Sequence, residues 1–211
     1  MRISLALSVA ALVLVACGKP APNGTQSQAS KTAAETQTVH ANSGITWFEG
    51  GVEEAFSLAK AQNKPVFLYW GAKWCPPCNQ IKSTIFVRPD FIERTRRFIP
   101  VYLDGDSDGA QKWGEHFGTS GYPTLVVLKP DGEELTRISS GMDANSYPQV
   151  LDLALKQSQS VVNLVQKALH TPDKLEADDW QLLALYSWEA DDGRSTPTEQ
   201  RGETLQQLAQ N

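Results

Sequence analysis

The 211-residue chain is poor in cysteine, with only three, at positions 17, 75 and 78. So few cannot build a framework of structural disulfides, so the fold must stand on an apolar core. The chain also lacks an excess of positive charge. Nineteen Lys and Arg stand against 24 Asp and Glu, a formal net charge of −5. That balance gives no electrostatic footprint for nucleic acid or for an anionic bilayer. A long hydrophobic run is missing too. A membrane-spanning helix needs about 20 apolar residues, and the run Ile3–Ala16 has 14. Multi-span membrane, collagen-like and disulfide-dense classes are thereby excluded. What remains is a hydrophobic fraction of 41% with 20% charge, which is ordinary for a globular protein. The length allows one domain plus additions.

The first 16 residues read as an address. Arg2 precedes the short apolar run, the layout of a signal peptide. The run ends Leu14-Val15-Ala16-Cys17, which resembles a bacterial lipobox. That resemblance implies cleavage before Cys17, a diacylglycerol on its thiol and acylation of the new amino group. Together these chains suffice for stable anchoring. Gly18 rather than Asp follows the cysteine, which in a diderm bacterium favours the outer membrane, with the protein facing the periplasm. Residues 17–44 then read as a lipidated flexible tether. Pro, Gly, Ser, Thr, Gln, Asn and Ala dominate it, and such a segment buries too little apolar surface to offset its ordering entropy.

From residue 45 the pattern changes to alternating strands and helices. Ile45–Phe48 is a short strand candidate. Val52, Ala55, Phe56 and Ala59 recur at helical spacing. Val66–Trp70 is a continuous apolar run suited to a central buried strand. Further helices are expected after Cys78, over Phe91–Arg97, over Ala110–Phe117 and over Tyr147–Leu155. Further strands are expected at Ile99–Leu103, Leu125–Leu128 and Glu134–Ser139, the last two joined by an Asp131-Gly132 turn. This order predicts an α/β domain over 45–157, with a mixed central sheet covered by helices on both faces.

Cys75 and Cys78 stand at the predicted strand-to-helix junction, separated by two residues. A cysteine at a helix N-terminus has its thiolate favoured by the dipole and by free N–H groups. A second cysteine one turn later can attack a mixed disulfide and release the partner. The intervening residues are Pro76-Pro77, and neither has an N–H. With Cys75 as N-cap, Cys78 supplies the first helical N–H that can reach its sulfur. Fewer donors stabilise the thiolate less, which predicts a Cys75 thiol less acidic than that of a strong oxidant, and a reducing or isomerising role. A zinc site would need about four ligands, and beyond this pair the chain offers only His40, His116 and His170.

With Trp74 before the pair, Phe86 and Pro89-Asp90-Phe91 after it, then Gly121-Tyr122-Pro123-Thr124 and the Asp-Gly hairpin, the segment from about Ile45 to Leu155 resembles the thioredoxin family. It is most similar to the C-terminal domain of DsbD-type reductases. The resemblance implies a thioredoxin fold, catalysis by Cys75 and Cys78, and a cis-proline at Pro123 that orients the substrate backbone. It implies a docking surface that includes Trp74 and Tyr122. No cofactor is implied, since the cysteines carry the electrons. The implied partners are disulfide-containing envelope proteins and an unidentified electron donor. One position departs from the family: the buried Asp usual six residues before the first cysteine is Tyr69 here.

Two features fall outside that pattern. Asp104, Asp106 and Asp108, with Gly109 and then Glu115, match the spacing of an EF-hand calcium loop. Against this, Gln111 occupies a position that is usually aliphatic, and a strand rather than a helix precedes the loop. The alternative is an acidic turn in which Asp106 or Asp108 caps the helix that follows. Residues 158–211 read as a helical extension. Val161, Leu164, Val165 and Ala168 mark one amphipathic helix. A second, capped by Asp178 or Asp179, runs from Trp180 to Trp188, and a third is signalled by Leu205 and Leu208. Two functions are therefore expected. The first is a membrane-tethered thiol–disulfide oxidoreductase. The alternative is a lipoprotein scaffold that binds partners through this fold and its tail, with incidental thiols.

Overall fold

The computed structural model describes residues 44–210. The expected signal peptide (1–16), the lipidation site Cys17 and all of the expected tether except Gly44 lie outside them. Among the described residues no helix is long and apolar enough to cross a membrane.

Four strands form one mixed sheet in the order β2-β1-β3-β4. They are β1 (Val66–Gly71), β2 (Ile99–Asp104), β3 (Thr124–Leu128) and β4 (Glu134–Ile138). Strand β1 pairs parallel to β2 and antiparallel to β3, and β3 pairs antiparallel to β4. As the central strand, β1 is buried along its whole length, which accounts for its unbroken apolar run. Alternate side chains feed two cores. Phe67 and Tyr69 join Leu125, Val127 and Leu135 on one face, while Val66, Leu68 and Trp70 join Ile99, Val101 and Val126 on the other.

Helices cover both faces as expected. On the Val66 face lie α1 (Val52–Gln62) and the end of α4 (Ala110–Phe117); on the Phe67 face lie α2 (Pro76–Thr84), α3 (Pro89–Thr95) and α5 (Ser146–Lys156). Gly114 lets α4 come close to the sheet, because a Cβ there would stand 1.5 Å from the Trp70 ring. The expected strand at Ile45–Phe48 does not form. The Phe48 N–H donates to the Pro100 carbonyl at 2.8 Å, but Pro100 has no N–H to return the bond. The segment contributes packing instead. Trp47 sits among the rings of Phe67, Tyr69, Phe86 and Tyr102, with centroids 5.5–6.1 Å away.

The C-terminal helices are α6 (Val161–His170), α7 (Ala177–Ala184) and α8 (Arg201–Leu208). Val161, Leu164, Val165, Ala168, Leu182, Leu183 and Tyr186 are buried in the same core cluster as Phe67 and Leu151. Helix α7 is shorter than expected, and Trp188 falls in a separate 3-10 turn. Its N-cap is Glu176, and Asp179 reaches back to accept the Glu176 N–H at 3.0 Å. The tail also covers the β4 edge. Ile138 bridges to Tyr186, and the Ser187 N–H donates to the Arg137 carbonyl at 2.9 Å.

Candidate active site

The site grows from the end of β1. After Gly71 the chain turns and enters α2 with Cys75 as N-cap and Pro76 and Pro77 as the first two helical residues. Proline fits there because the first N–H groups of a helix have no partner within it. The Cys78 N–H is then the first that reaches back, and it donates to the Cys75 Sγ at 3.2 Å. Asn79 fixes the turn by donating its side-chain amide to the Lys73 carbonyl at 3.1 Å. Cys75 and Cys78 are joined as a disulfide, with Cα atoms 5.2 Å apart. Access differs between them: Cys75 is 3% exposed and Cys78 is 0% exposed. Both are buried, and the little surface that the pair leaves open belongs to Cys75.

The rim of the disulfide is aromatic. Trp74, immediately before Cys75, is 66% exposed. Its indole N–H donates to Asp106 Oδ1 at 3.0 Å. Its ring meets that of Tyr122 edge-on, with centroids 5.8 Å apart. The Tyr122–Pro123 peptide bond is cis. It leads directly into β3, whose Thr124 pairs with Trp70 of β1, so the Pro123 loop lies beside the strand end that carries the cysteines. Trp74, Cys75, Cys78, Tyr122 and Pro123 thus gather at one end of the sheet. Cys17 lies outside the described residues.

In the Asp-rich turn, Asp104 and Asp106 have partners of their own. Asp104 Oδ1 accepts the Asp106 N–H at 3.2 Å, and its Oδ2 faces the Lys73 ammonium at 3.7 Å. Asp106 is engaged by Trp74, while Asp108 and Glu115 are exposed. Among the described residues no group of three or more His, Cys, Asp or Glu side chains converges to hold a metal ion. The expected cap on α4 is not made either. Gly109 is its N-cap, with φ +80° and no side-chain bond. The spacing that matched a metal loop instead closes a turn against the aromatic rim.

Tyr69 stands where the resemblance placed a buried acid. It is fully buried, stacks on Tyr102 at 5.2 Å and meets Phe86 edge-on at 4.8 Å. Burial, with smaller contributions from Tyr102 and Asp104, raises its phenol pKa far above the ordinary value. A phenol held protonated this firmly takes no proton from Cys78 near neutrality, so Tyr69 fills the core. Nearby, Lys82 lies 5.6 Å from the Tyr102 ring centroid, and burial lowers its ammonium pKa against the opposing pull of Asp104.

Sequence reasoning missed the partners of the rim. Asp106 lies 32 residues from Trp74, and Gln111, which bonds the Tyr122 hydroxyl at 3.2 Å, belongs to another element. No local pattern marks either contact.

A family model described as a thioredoxin-like domain matches residues 52–155. Nucleoredoxin-like protein 1 of Homo sapiens is 31% identical over 152 residues, which cover 58% of this chain and 70% of that protein. The chain belongs to the thioredoxin-like family. Another relative is the thiol:disulfide interchange protein DsbD of Pseudomonas fluorescens, 29% identical over 102 residues. The match covers 46% of this chain and 18% of that protein, so the chain spans about a fifth of DsbD. A thioredoxin from Thermus thermophilus of known structure superposes with a TM-score of 0.48 at 24% identity, over 53% of this chain and 88% of that one. Within this thioredoxin-like chain, the Cys75–Cys78 disulfide is the pair suited to thiol–disulfide exchange.

Proposed function

We propose that the chain is a membrane-tethered thiol–disulfide oxidoreductase that reduces or exchanges disulfides of cell-envelope proteins. The observation that carries this reading is the Cys75–Cys78 disulfide at the start of α2, with the Cys78 N–H on the Cys75 sulfur. In the reduced enzyme the Cys75 thiolate attacks one sulfur of a substrate disulfide. A Cys75–substrate disulfide forms and the other substrate sulfur leaves as a thiolate. Cys78, after losing its proton, attacks the Cys75 sulfur and expels the second substrate thiolate. The substrate gains two electrons and takes up two protons, and the Cys75–Cys78 pair becomes a disulfide. An external dithiol donor must then return two electrons. Trp74 and Tyr122 form the surface on which the partner docks, and Pro123 lies where the partner's backbone would run.

The Leu14-Val15-Ala16-Cys17 signal supports lipid anchoring through Cys17 and an envelope location, facing the periplasm from the outer membrane in a diderm cell. Insulin reduction with dithiothreitol as donor tests the chemistry. Wild type accelerates precipitation of the insulin B chain, and Cys75→Ser abolishes the acceleration. Equal rates for the two would refute the proposal.

A further inference from the structure

The turn after β2 and the first turn of α4 each bond the aromatic rim. Asp106 Oδ1 accepts the Trp74 indole N–H at 3.0 Å. The Gln111 side-chain amide donates to the Gly105 carbonyl at 3.0 Å and to the Tyr122 hydroxyl at 3.2 Å. Both hydrogens of that amide are thereby used. Gly105 makes the approach possible, since a Cβ there would stand 2.1 Å from the Tyr122 hydroxyl. Trp74 has little packing to hold it at 66% exposure. A side chain that exposed ordinarily keeps its rotamer freedom, so the Asp106 bond and the edge contact with Tyr122 are what restrain it.

We infer that Asp106 and Gln111 are positioning residues that hold Trp74 and Tyr122 as fixed walls beside Cys75, and so favour polypeptide disulfides over small ones. The inference rests on the proposed oxidoreductase reading. Their side-chain hydrogen bonds go to the rim and its turn. Their effect is on docking: a partner that crosses both rings meets a surface already ordered and loses less freedom on binding. A small disulfide touches only the sulfur and gains nothing from the walls.

The test compares two substrates on the full chain in detergent, with dithiothreitol as donor. One is insulin; the other is bis(hydroxyethyl) disulfide. Asp106→Ala and Gln111→Leu are each expected to raise KM for insulin about tenfold, with kcat within about twofold. The catalysed rate with bis(hydroxyethyl) disulfide, above the dithiothreitol background, stays at the wild-type level, and an unchanged circular dichroism spectrum shows that the variants fold. Asp106→Asn keeps an acceptor oxygen for the indole and restores most of the insulin KM. Insulin KM values within about twofold of wild type for both variants would overturn the inference. So would an equal loss on both substrates, since the residues would then act on the sulfur chemistry. A wild-type chain that reduces neither substrate would overturn the oxidoreductase reading itself.

Discussion

Cys75 and Cys78 are three residues apart, yet a helix start gives them different work. Cys75 is the N-cap, and its sulfur accepts one backbone N–H, from Cys78. Pro77 occupies the position whose N–H would be the other donor within reach. Replacing Pro77 by Ala supplies that donor and little else. The Cys75 thiolate should then be better stabilised, its thiol more acidic, and the disulfide more oxidising. A shift of about 30 mV corresponds to about 1.4 kcal/mol, the scale of one added hydrogen bond to a charged sulfur. Equilibration of Pro77→Ala with glutathione buffers is expected to show a potential less negative by about that amount. An unchanged potential would mean that the donor count does not set the poise. This part of the site was legible in the sequence because Cys-Pro-Pro-Cys is local: four adjacent residues state the cap, the missing donors and the resolving position. The rim was not legible, because the Trp74–Asp106 and Tyr122–Gln111 bonds join residues that only the fold brings together.

Strand β4 shows the same contrast at the level of elements. Its existence follows from the Asp131-Gly132 turn and the apolar pattern on either side. Its full burial at the sheet edge does not, since that requires the tail. Arg137 on β4 is 0% exposed. Its guanidinium makes two bonds to Glu134, at 3.1 and 2.8 Å, and donates to the Phe117 and Gly118 carbonyls at 2.8 and 3.0 Å. The Tyr186 hydroxyl of the tail lies 3.0 Å from Glu134 Oε1 and 2.5 Å from Asp191 Oδ1. Arg194 also donates to the His116 carbonyl at the end of α4. One buried cation thus joins the edge strand, the end of α4 and, through Glu134, the tail. Arg137→Ala would leave the Glu134 carboxylate buried without its counter-charge, at a cost of about 3–5 kcal/mol. Urea unfolding should show an unfolding free energy lower by that amount. A loss below about 1 kcal/mol would mean that water or rearrangement satisfies Glu134 easily. The Ile45–Phe48 segment shows the opposite error. Its apolar pattern reads as a strand, but Pro100 on the neighbouring strand removes the N–H that a ladder needs.

At the scale of the molecule, the apolar core carries most of the chain's tyrosine. Four of the five, Tyr69, Tyr102, Tyr147 and Tyr186, are buried. Burial raises the phenol pKa of each, that of Tyr147 to about 12 and the other three further. The folded chain therefore holds these protons at a pH where the unfolded chain releases them. Their contribution to stability is fully present below the ordinary tyrosine value of about pH 10 and declines as pH rises above it, each by about 1.4 kcal/mol per unit. Tyrosinate absorbance followed with circular dichroism should show these four phenols ionising together with unfolding. Their ionisation in a folded chain would contradict the burial argument.

The tail shares this core, so the C-terminal helices are structural partners of the catalytic region, whatever else they bind. The central claim, that Cys75 exchanges disulfides with envelope proteins and Cys78 resolves the product, is tested most directly by trapping. The Cys78→Ser chain, expressed in its own cells and quenched in acid, should accumulate mixed disulfides through Cys75 that migrate as defined larger species and vanish on reduction. Their absence, with Cys75 free and the chain folded, would contradict the account and leave a scaffold with idle thiols.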